Sequence, residues 1–157
     1  MQINVNDINL FYTCQGVGEP LIMLHGNGED HTIFDEAVDV LSKYFRVYAI
    51  DTRDHGQSDK VEELHYDDMA EDIRLFIESL QLEKPILYGF SDGGIIGLIL
   101  ASKYPNLLSK VIGSGVNVNP DGLVKGLHFI FKMIYFFGRS PKFRLMLTEP
   151  NITAEQL

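Results

Sequence analysis

Alternation of short apolar segments with amphipathic segments predicts an α/β protein built on a mostly parallel sheet with flanking helices. The apolar segments have the length and β-branched content of strands, and the segments between them have the 3.6-residue period of helices. The connecting loops are short, as in strand–helix–strand units with right-handed crossovers. Strands are predicted at residues 2–5, 8–13, 21–24, 47–50, 86–90 and 111–116.

The strands themselves fall into two kinds. The first two flank Asn6 and Asp7, a pair that predicts a hairpin turn. The later strands are apolar at nearly every position, which is typical of parallel strands covered on both faces.

Three helices are predicted between the strands. The first runs over 34–41 behind Thr32, a candidate N-cap residue, with Asp35 three residues later. The second, over 69–80, carries an apolar stripe and follows two acidic residues that favour a helix N-terminus. The third, over about 93–103, is apolar almost all round, so we expect it to be deeply buried.

Composition narrows the class of protein. The chain has 157 residues, 45% of them hydrophobic and 22% charged, as in an ordinary globular domain with its own core. Its net charge of −9 argues against a nucleic-acid partner, because phosphate binding needs clustered Lys and Arg. Cys14 is the single cysteine and no signal-peptide pattern opens the chain, so we expect a cytoplasmic protein.

The C-terminal part, residues 120–157, has a different character. Between Asp121 and Glu149 there are five basic residues and no acidic one, and residues 123–137 are apolar and aromatic. This run is too short to span a membrane and contains charged residues, so we interpret it as a buried or lid helix. A basic face that attracts anionic substrates or lipid head groups is the alternative.

The candidate chemistry lies in Gly89-Phe90-Ser91-Asp92-Gly93. This G-x-S-x-G sequence stands between an apolar strand and an apolar helix, where a sharp turn exposes a serine hydroxyl. Gly89 and Gly93 lack the Cβ atoms that would collide where the strand and the helix approach each other. Ser91 is therefore the candidate nucleophile, and the backbone N–H of Asp92 is a candidate oxyanion donor.

A second motif, His25-Gly26-Asn27-Gly28, follows the strand at 21–24. An oxyanion hole needs two N–H donors about 3 Å from the developing charge, and Asn27 is the candidate for the second donor. We expect His25 to support the loop by hydrogen bonding, and Gly26 to belong to a turn. The Gly-Lys-Ser/Thr of a phosphate-binding loop is missing, and no metal-ligand spacing is present, so neither a cofactor nor a metal is expected.

Three motifs in this order resemble the α/β-hydrolase-fold family, in its small esterase, lipase and haloperoxidase-like form. Besides the two motifs above, Asp51-Thr52-Arg53-Asp54-His55-Gly56-Gln57-Ser58 resembles a structural loop of that family, with Asp54 where glycine is usual. The resemblance is close up to about residue 120. It implies a core domain over 1–119 and the start of a helical cap over 120–157.

The resemblance also implies a serine, acid, histidine order, with the last two residues placed after the seventh and eighth strands. The sequence shows neither strand, and His128, preceded by Asp121, is the one histidine after Ser91. We interpret His128 as packed or pocket-lining, and the earlier histidines (His31, His55, His65) as loop or surface residues. A capping box at residues 153–156 announces a helix that the sequence does not continue.

We therefore expect a fragment, a shortened gene product or one piece of a split protein. The strand at 111–116 would then be an open hydrophobic edge, available to self-association or to a complementing chain.

These observations predict a serine hydrolase that acts on small-molecule esters or thioesters through a Ser91 acyl-enzyme, inactive or weak without the acid and histidine. The resemblance also implies that a serine at this position argues against a dehalogenase or an epoxide hydrolase, which this family builds with aspartate there. A C–C bond hydrolase, a small-peptide peptidase and an acyltransferase are alternatives on the same fold. A non-catalytic binding protein or an inactive truncated product is the alternative from a different class.

Overall fold

Six strands and three helices alternate along residues 1–116, the part of the chain that this computed structural model describes. The strands are β1 Gln2–Val5, β2 Ile8–Gln15, β3 Glu19–Leu24, β4 Phe45–Ile50, β5 Ile86–Phe90 and β6 Lys110–Ser114. The helices are α1 Asp35–Leu41, preceded by a 3₁₀ turn at His31–Phe34, α2 Tyr66–Ser79 and α3 Asp92–Lys103. Every predicted strand and helix in this part of the chain is present, with its ends moved by a few residues.

The strands form one sheet in the order β1-β2-β4-β3-β5-β6. β3 pairs in parallel with both β4 and β5, and β5 pairs in parallel with β6, whereas β2 runs antiparallel to β4 and to β1. The predicted mostly parallel α/β sheet is therefore confirmed. The carboxyl ends of β3, β4 and β5 lie at the same edge, where the three sequence motifs follow them.

The predicted hairpin between β1 and β2 is also confirmed. Asn6 and Asp7 connect the strands with φ angles of 49° and 62°. Two successive left-handed residues are the mark of a type I′ turn, whose twist matches that of the flanking strands.

Alternate side chains of the central strands enter two different cores. On β3, Ile22 and Leu24 pack with α2 and α3 on one face of the sheet, whereas Leu21 and Met23 pack with α1 on the other. Because successive strand residues point to opposite faces, a continuously apolar strand supplies both cores at once.

The helix start near residue 32 differs from the prediction. The Asp30 side chain, not that of Thr32, caps this segment: its Oδ1 accepts a hydrogen bond of 2.9 Å from the Thr32 N–H. Hydrogen bonds from the Thr32 hydroxyl and from the Thr32 N–H lower the pKa of the Asp30 carboxyl. An ionised carboxylate is a better partner for free N–H groups than a hydroxyl, so the cap begins two residues earlier than the sequence pattern indicates.

Deep burial of α3 is confirmed on one side only. Ile96 and Leu100 are completely buried, but Leu98 is 42% exposed. At Gly97 a Cβ atom would come within 2.7 Å of the Leu87 side chain, so α3 lies close to the sheet on its glycine-containing face. No element of residues 1–116 covers its outer face.

β6 is likewise not covered on both faces, contrary to the pattern of its residues. Within residues 1–116 it pairs with β5 alone, and Ile112 is 50% exposed. The predicted domain boundary at 119/120, the expected cap over 120–157, and His128 with Asp121 all lie outside the described residues.

Candidate active site

Ser91 occupies a sharp turn between the end of β5 and the start of α3. Its φ and ψ angles are 49° and −112°, a conformation that residues with a side chain rarely adopt. Backbone hydrogen bonds hold Ser91 on both sides. The Ser91 N–H donates to the Ser114 carbonyl at 2.8 Å. The Ser91 carbonyl accepts from the N–H groups of Gly94 at 3.0 Å and Ile95 at 3.2 Å. The turn is therefore maintained by β6 and by the first turn of α3.

The glycines of the G-x-S-x-G sequence allow this turn because of space. A Cβ atom on Gly89 would collide with the backbone of Gly93, and a Cβ atom on Gly93 would collide with the carbonyl group of Leu24. The Gly93 N–H also donates to the His25 carbonyl at 3.1 Å. The collision expected from the sequence is thus present, and it joins the start of α3 to the end of β3.

The loop after β3 lies directly beside Ser91. A Cβ atom on Gly26 would lie 3.1 Å from the Ser91 Cβ and 2.8 Å from Glu29 Oε2. Asn27 follows on the exposed side of this loop. Within residues 1–116, the backbone N–H groups of Asn27 and Asp92 donate to no protein acceptor. The two candidate oxyanion donors therefore belong to loops that meet at Ser91.

His25 lies beneath this loop, where it is almost completely buried. Its Nε2 accepts a hydrogen bond of 3.1 Å from the Thr52 N–H, so the proton of the neutral ring is on Nδ1, which donates to the Gly26 carbonyl at 2.7 Å. Burial lowers the pKa of the His25 imidazole, which favours this neutral form. With both nitrogens occupied by backbone groups, His25 supports the loop as expected.

The middle motif forms a hydrogen-bonded support next to the same loop. The buried Asp51 carboxylate accepts from the His31 N–H and ring at 2.7 Å each and from the Gln57 N–H at 2.8 Å. Arg53 makes two hydrogen bonds of 2.7 and 2.6 Å to the buried Asp72 of α2. Hydrogen bonding to Asp72 raises the pKa of the Arg53 guanidinium. The motif therefore fixes the β4–α2 connection rather than supplying reactive groups.

The departure from the family pattern at Asp54 has a visible consequence. Asp54 has a φ of 65°, in the left-handed region where glycine is favoured. Aspartate tolerates this region better than most residues that have a side chain.

The histidines before Ser91 were predicted on loops or at the surface, and they differ from that prediction in part. His65 is exposed and His55 lies on a loop, but His55 is buried and its Nε2 lies 3.4 Å from Asn27 Oδ1. His31 belongs to the 3₁₀ turn and binds Asp51. Among residues 1–116, no histidine forms a hydrogen bond with the Ser91 hydroxyl.

No role was predicted for the side-chain carboxylates of two residues near Ser91, Glu29 and Asp92. The Glu29 carboxylate accepts a hydrogen bond of 2.9 Å from the Gly26 N–H. Burial raises the pKa of the Asp92 carboxyl, while the neighbouring Tyr66 hydroxyl acts to lower it. An acid directly after the nucleophile was readable in the sequence as a charge at the site, but the partner of Glu29 depends on the turn that brings it back to Gly26.

One group of potential metal ligands occurs among the described residues. Ligand atoms of Asp30, His31 and Asp51 lie within 4.8 Å of one another. Each of these side chains already hydrogen-bonds the protein: Asp30 binds Thr32, and His31 binds Asp51. These three side chains therefore belong to the hydrogen-bonded network that supports the loops around the site.

A cavity of about 620 Å³ lies on the α1 face of the sheet. Ser91 is not among its lining residues, whereas Glu29 and Phe90, which flank the site, are. Its walls are otherwise apolar side chains of β3, β4, β5, β6 and the α1 region, for example Leu21, Met23, Phe34, Leu41, Phe45, Ile86 and Ile112. No helix within residues 1–116 has both the length and the apolar character needed to cross a membrane.

Comparison with known proteins adds independent observations. Residues 19–144 match a family model described as alpha/beta hydrolase fold. The AB hydrolase superfamily protein YisY of Bacillus subtilis is 43% identical over 93 residues, 58% of this chain and 35% of that protein. The pimeloyl-[acyl-carrier protein] methyl ester esterase of Vibrio campbellii is 33% identical over 104 residues, 66% of this chain and 39% of that protein.

Among solved structures, a marine microorganism esterase superposes with a TM-score of 0.71 at 32% identity, covering 80% of this chain and 50% of that chain. The chain thus spans little more than a third of the two curated relatives and half of this esterase. The family model matches most of the chain, and the sheet, the turn at Ser91 and the loop after β3 agree with that match. The chain therefore belongs to the α/β hydrolase fold family.

Proposed function

We propose that this chain carries the nucleophile and the oxyanion donors of a serine hydrolase that cleaves small-molecule esters or thioesters. The observation that carries the proposal is the backbone of Ser91, a non-glycine residue held at a φ of 49° between a strand and a helix. Strained conformations of this kind persist where the surrounding structure maintains them, and they concentrate at functional sites. The names of two relatives, which are esterases, support an ester as the substrate class.

In the proposed reaction, the Ser91 hydroxyl oxygen attacks the acyl carbonyl carbon while a general base takes the hydroxyl proton. The N–H groups of Asn27 and Asp92 bind the oxyanion that forms. The alcohol or thiol leaves with a proton, and water then hydrolyses the acyl-enzyme to a carboxylic acid and free Ser91. Loss of one donor from such a site typically lowers the rate by about 10²–10³. The proposal assigns no base within residues 1–116, because the described histidines are engaged elsewhere.

The engagement of the histidines of residues 1–116 with other partners also favours a second candidate, a non-catalytic binding protein on the same fold. The two candidates differ in whether Ser91 is activated. A serine without a base nearby keeps the low reactivity of an ordinary alcohol.

The test is the intact mass of the purified chain before and after treatment with a fluorophosphonate, which labels activated serines. If a base outside residues 1–116 activates Ser91, we expect one adduct, absent from the Ser91→Ala variant. Ser102→Ala, which alters an exposed serine on the same helix, is the matched control and should be labelled like the unaltered protein. A chain that stays unlabelled contradicts hydrolysis by this chain and leaves the non-catalytic function.

A further inference from the structure

Glu29 closes the turn that carries the candidate oxyanion donor Asn27. Its N–H donates to the Gly26 carbonyl at 3.3 Å, and its Oε2 accepts from the Gly26 N–H at 2.9 Å. Gly28, the third residue of this turn, has a φ of 77°, and a four-residue turn with a left-handed third residue is the type II pattern. The four residues Gly26–Glu29 are here called the oxyanion turn.

We propose that Glu29 is a positioning residue, whose carboxylate holds the oxyanion turn, and with it the Asn27 N–H, against Ser91. This inference rests on the proposed function of the Asn27 amide. It extends that function to a side chain for which neither the sequence motifs nor the comparisons indicate a role.

The side-chain bond is the stronger of the two that close the turn. A backbone hydrogen bond of 3.3 Å is long for an N–H donor, whereas an N–H bound to a carboxylate at 2.9 Å is a charge-assisted bond. Asn27 and Gly28 are exposed, so little packing restrains them. Gly26 is buried, and no other acceptor for its N–H occurs within residues 1–116. Without Glu29 the turn would lose its main restraint and leave a buried N–H without a partner.

The position of this bond makes it relevant to Ser91. The space at the Gly26 α-carbon is bounded on one side by Glu29 Oε2 and on another by the Ser91 Cβ. The far side of the turn is fixed, because His25 binds the Gly26 carbonyl and the Thr52 N–H. Glu29 therefore holds the part of the loop that the His25 network leaves free, where the one other side-chain contact within residues 1–116 is the long 3.4 Å approach of His55 Nε2 to Asn27 Oδ1. A displacement of about 1 Å at a reacting group can lower a rate by about a hundredfold.

The role needs an acceptor of the right length; the negative charge strengthens the bond, but an amide oxygen at the same position also accepts from the Gly26 N–H. A charge beside Ser91 opposes the oxyanion that forms there, so the charge itself carries a cost. Two variants separate the length of the side chain from its charge. Glu29→Gln keeps the length and the acceptor oxygen, whereas Glu29→Asp keeps the charge but is one methylene too short. Glu36→Ala removes an exposed acid from α1 and is the matched control.

The first measurement is hydrogen exchange of the Gly26 amide by NMR in the full chain, which requires no activity. We expect Glu29→Asp and Glu29→Ala to accelerate this exchange by about ten- to a hundredfold, with Glu29→Gln within about fivefold of the unaltered protein. Glu36→Ala should have no effect. Unchanged Gly26 exchange in Glu29→Asp would overturn the inference, even if Glu29→Ala failed to fold.

The second measurement is the rate of fluorophosphonate labelling of Ser91 in the same proteins. We expect a loss of about ten- to a hundredfold in Glu29→Asp and recovery in Glu29→Gln. If the unaltered chain is not labelled, the proposed hydrolase function fails, while the exchange data still decide whether Glu29 holds the turn. If labelling is equally fast in all variants although Gly26 exchange rises, the turn does not position the oxyanion donor and the inference is wrong.

Discussion

Single residues at this site derive their properties from backbone geometry and hydrogen-bond partners. Ser91 adopts a left-handed conformation that costs on the order of 1–3 kcal/mol. Three backbone hydrogen bonds to Ser114, Gly94 and Ile95 offset that cost. His25 in turn is confined to one tautomer by two backbone groups. Strain and protonation are therefore set by the neighbours of these residues and not by their side-chain types.

The neutrality of His25 predicts how stability depends on pH. Because burial lowers its pKa in the folded state below the ordinary value of 6.5, the unfolded chain binds a proton at a higher pH than the folded chain does. The free energy of unfolding contributed by His25 is thus complete above pH 6.5 and is lost as pH falls from 6.5 through the folded-state value. An NMR titration of the His25 ring, with urea unfolding at several pH values in this window, measures both effects. A ring that titrates at 6.5 or above would refute the prediction.

Asp54 predicts a substitution that stabilises the protein without adding any contact. Asp54→Gly removes left-handed strain but gives the unfolded chain more freedom, so we expect a change between zero and about +1 kcal/mol in the free energy of unfolding. Asp54→Val should destabilise by about 1–2 kcal/mol. Urea unfolding measures both. Asp39→Gly in the exposed face of α1 is the control and should lose about 0.5–1 kcal/mol. A similar loss in Asp54→Gly would show that the Asp54 side chain matters more than its φ.

At the scale of elements, the site is a junction of three strands, β3, β5 and β6, and one helix, α3. Gly93 joins α3 to β3 both by its hydrogen bond to the His25 carbonyl and by its contact with the backbone of Leu24. The Ser91 N–H joins the same turn to β6 through Ser114. The turn at Ser91 is therefore rigid because it is held by the sheet on both sides.

This junction predicts different costs for two glycine substitutions. Gly93→Ala places a methyl group on the Leu24 backbone, which cannot move aside, so we expect a loss of about 2–3 kcal/mol in the free energy of unfolding. Gly28→Ala meets no atom within 4 Å and has only its φ of 77° to accommodate, so we expect about 1 kcal/mol. Chemical denaturation of the two variants compares them directly. Equal losses would mean that the contact with β3 is not rigid.

For the molecule as a whole, residues 1–116 present an apolar cavity and a free strand edge on neighbouring surfaces. Ile112 belongs to both: it lines the cavity and lies on β6, which pairs with β5 alone in this part of the chain. A strand edge without a partner can pair with another chain.

The β6 edge is expected to self-associate or to pair with a complementing chain, and self-association predicts concentration-dependent association in sedimentation velocity experiments. Ile112→Lys places a charge at the half-exposed edge and should weaken association by at least about tenfold. Leu98→Lys, at an equally exposed position on the outer face of α3, should leave association unchanged. A monomer at all concentrations, or equal weakening by Leu98→Lys, would contradict pairing at β6.

Much of this architecture was readable from local patterns. The strand positions, the Asn6–Asp7 hairpin and the turn around Ser91 each depend on a few adjacent residues whose conformational preferences agree. The expected deep burial of α3 holds for Ile96 and Leu100 but not for Leu98. Within residues 1–116, β6 has an open edge, as expected for residues 111–116, and Ile112 is half-exposed. Apolar character shows what a segment can bury, but the amount it does bury depends on which elements pack against it.

Ser91 and the loop 25–28 were therefore identified from the chain alone, because a glycine pattern between a strand and a helix specifies its own turn. The capping role of Asp30, the tautomer of His25 and the bond from Gly26 to Glu29 required the folded structure. Each of these depends on which backbone groups remain without a partner once the strands are in register. Side chains satisfy those groups at close range, and that proximity is created by the fold.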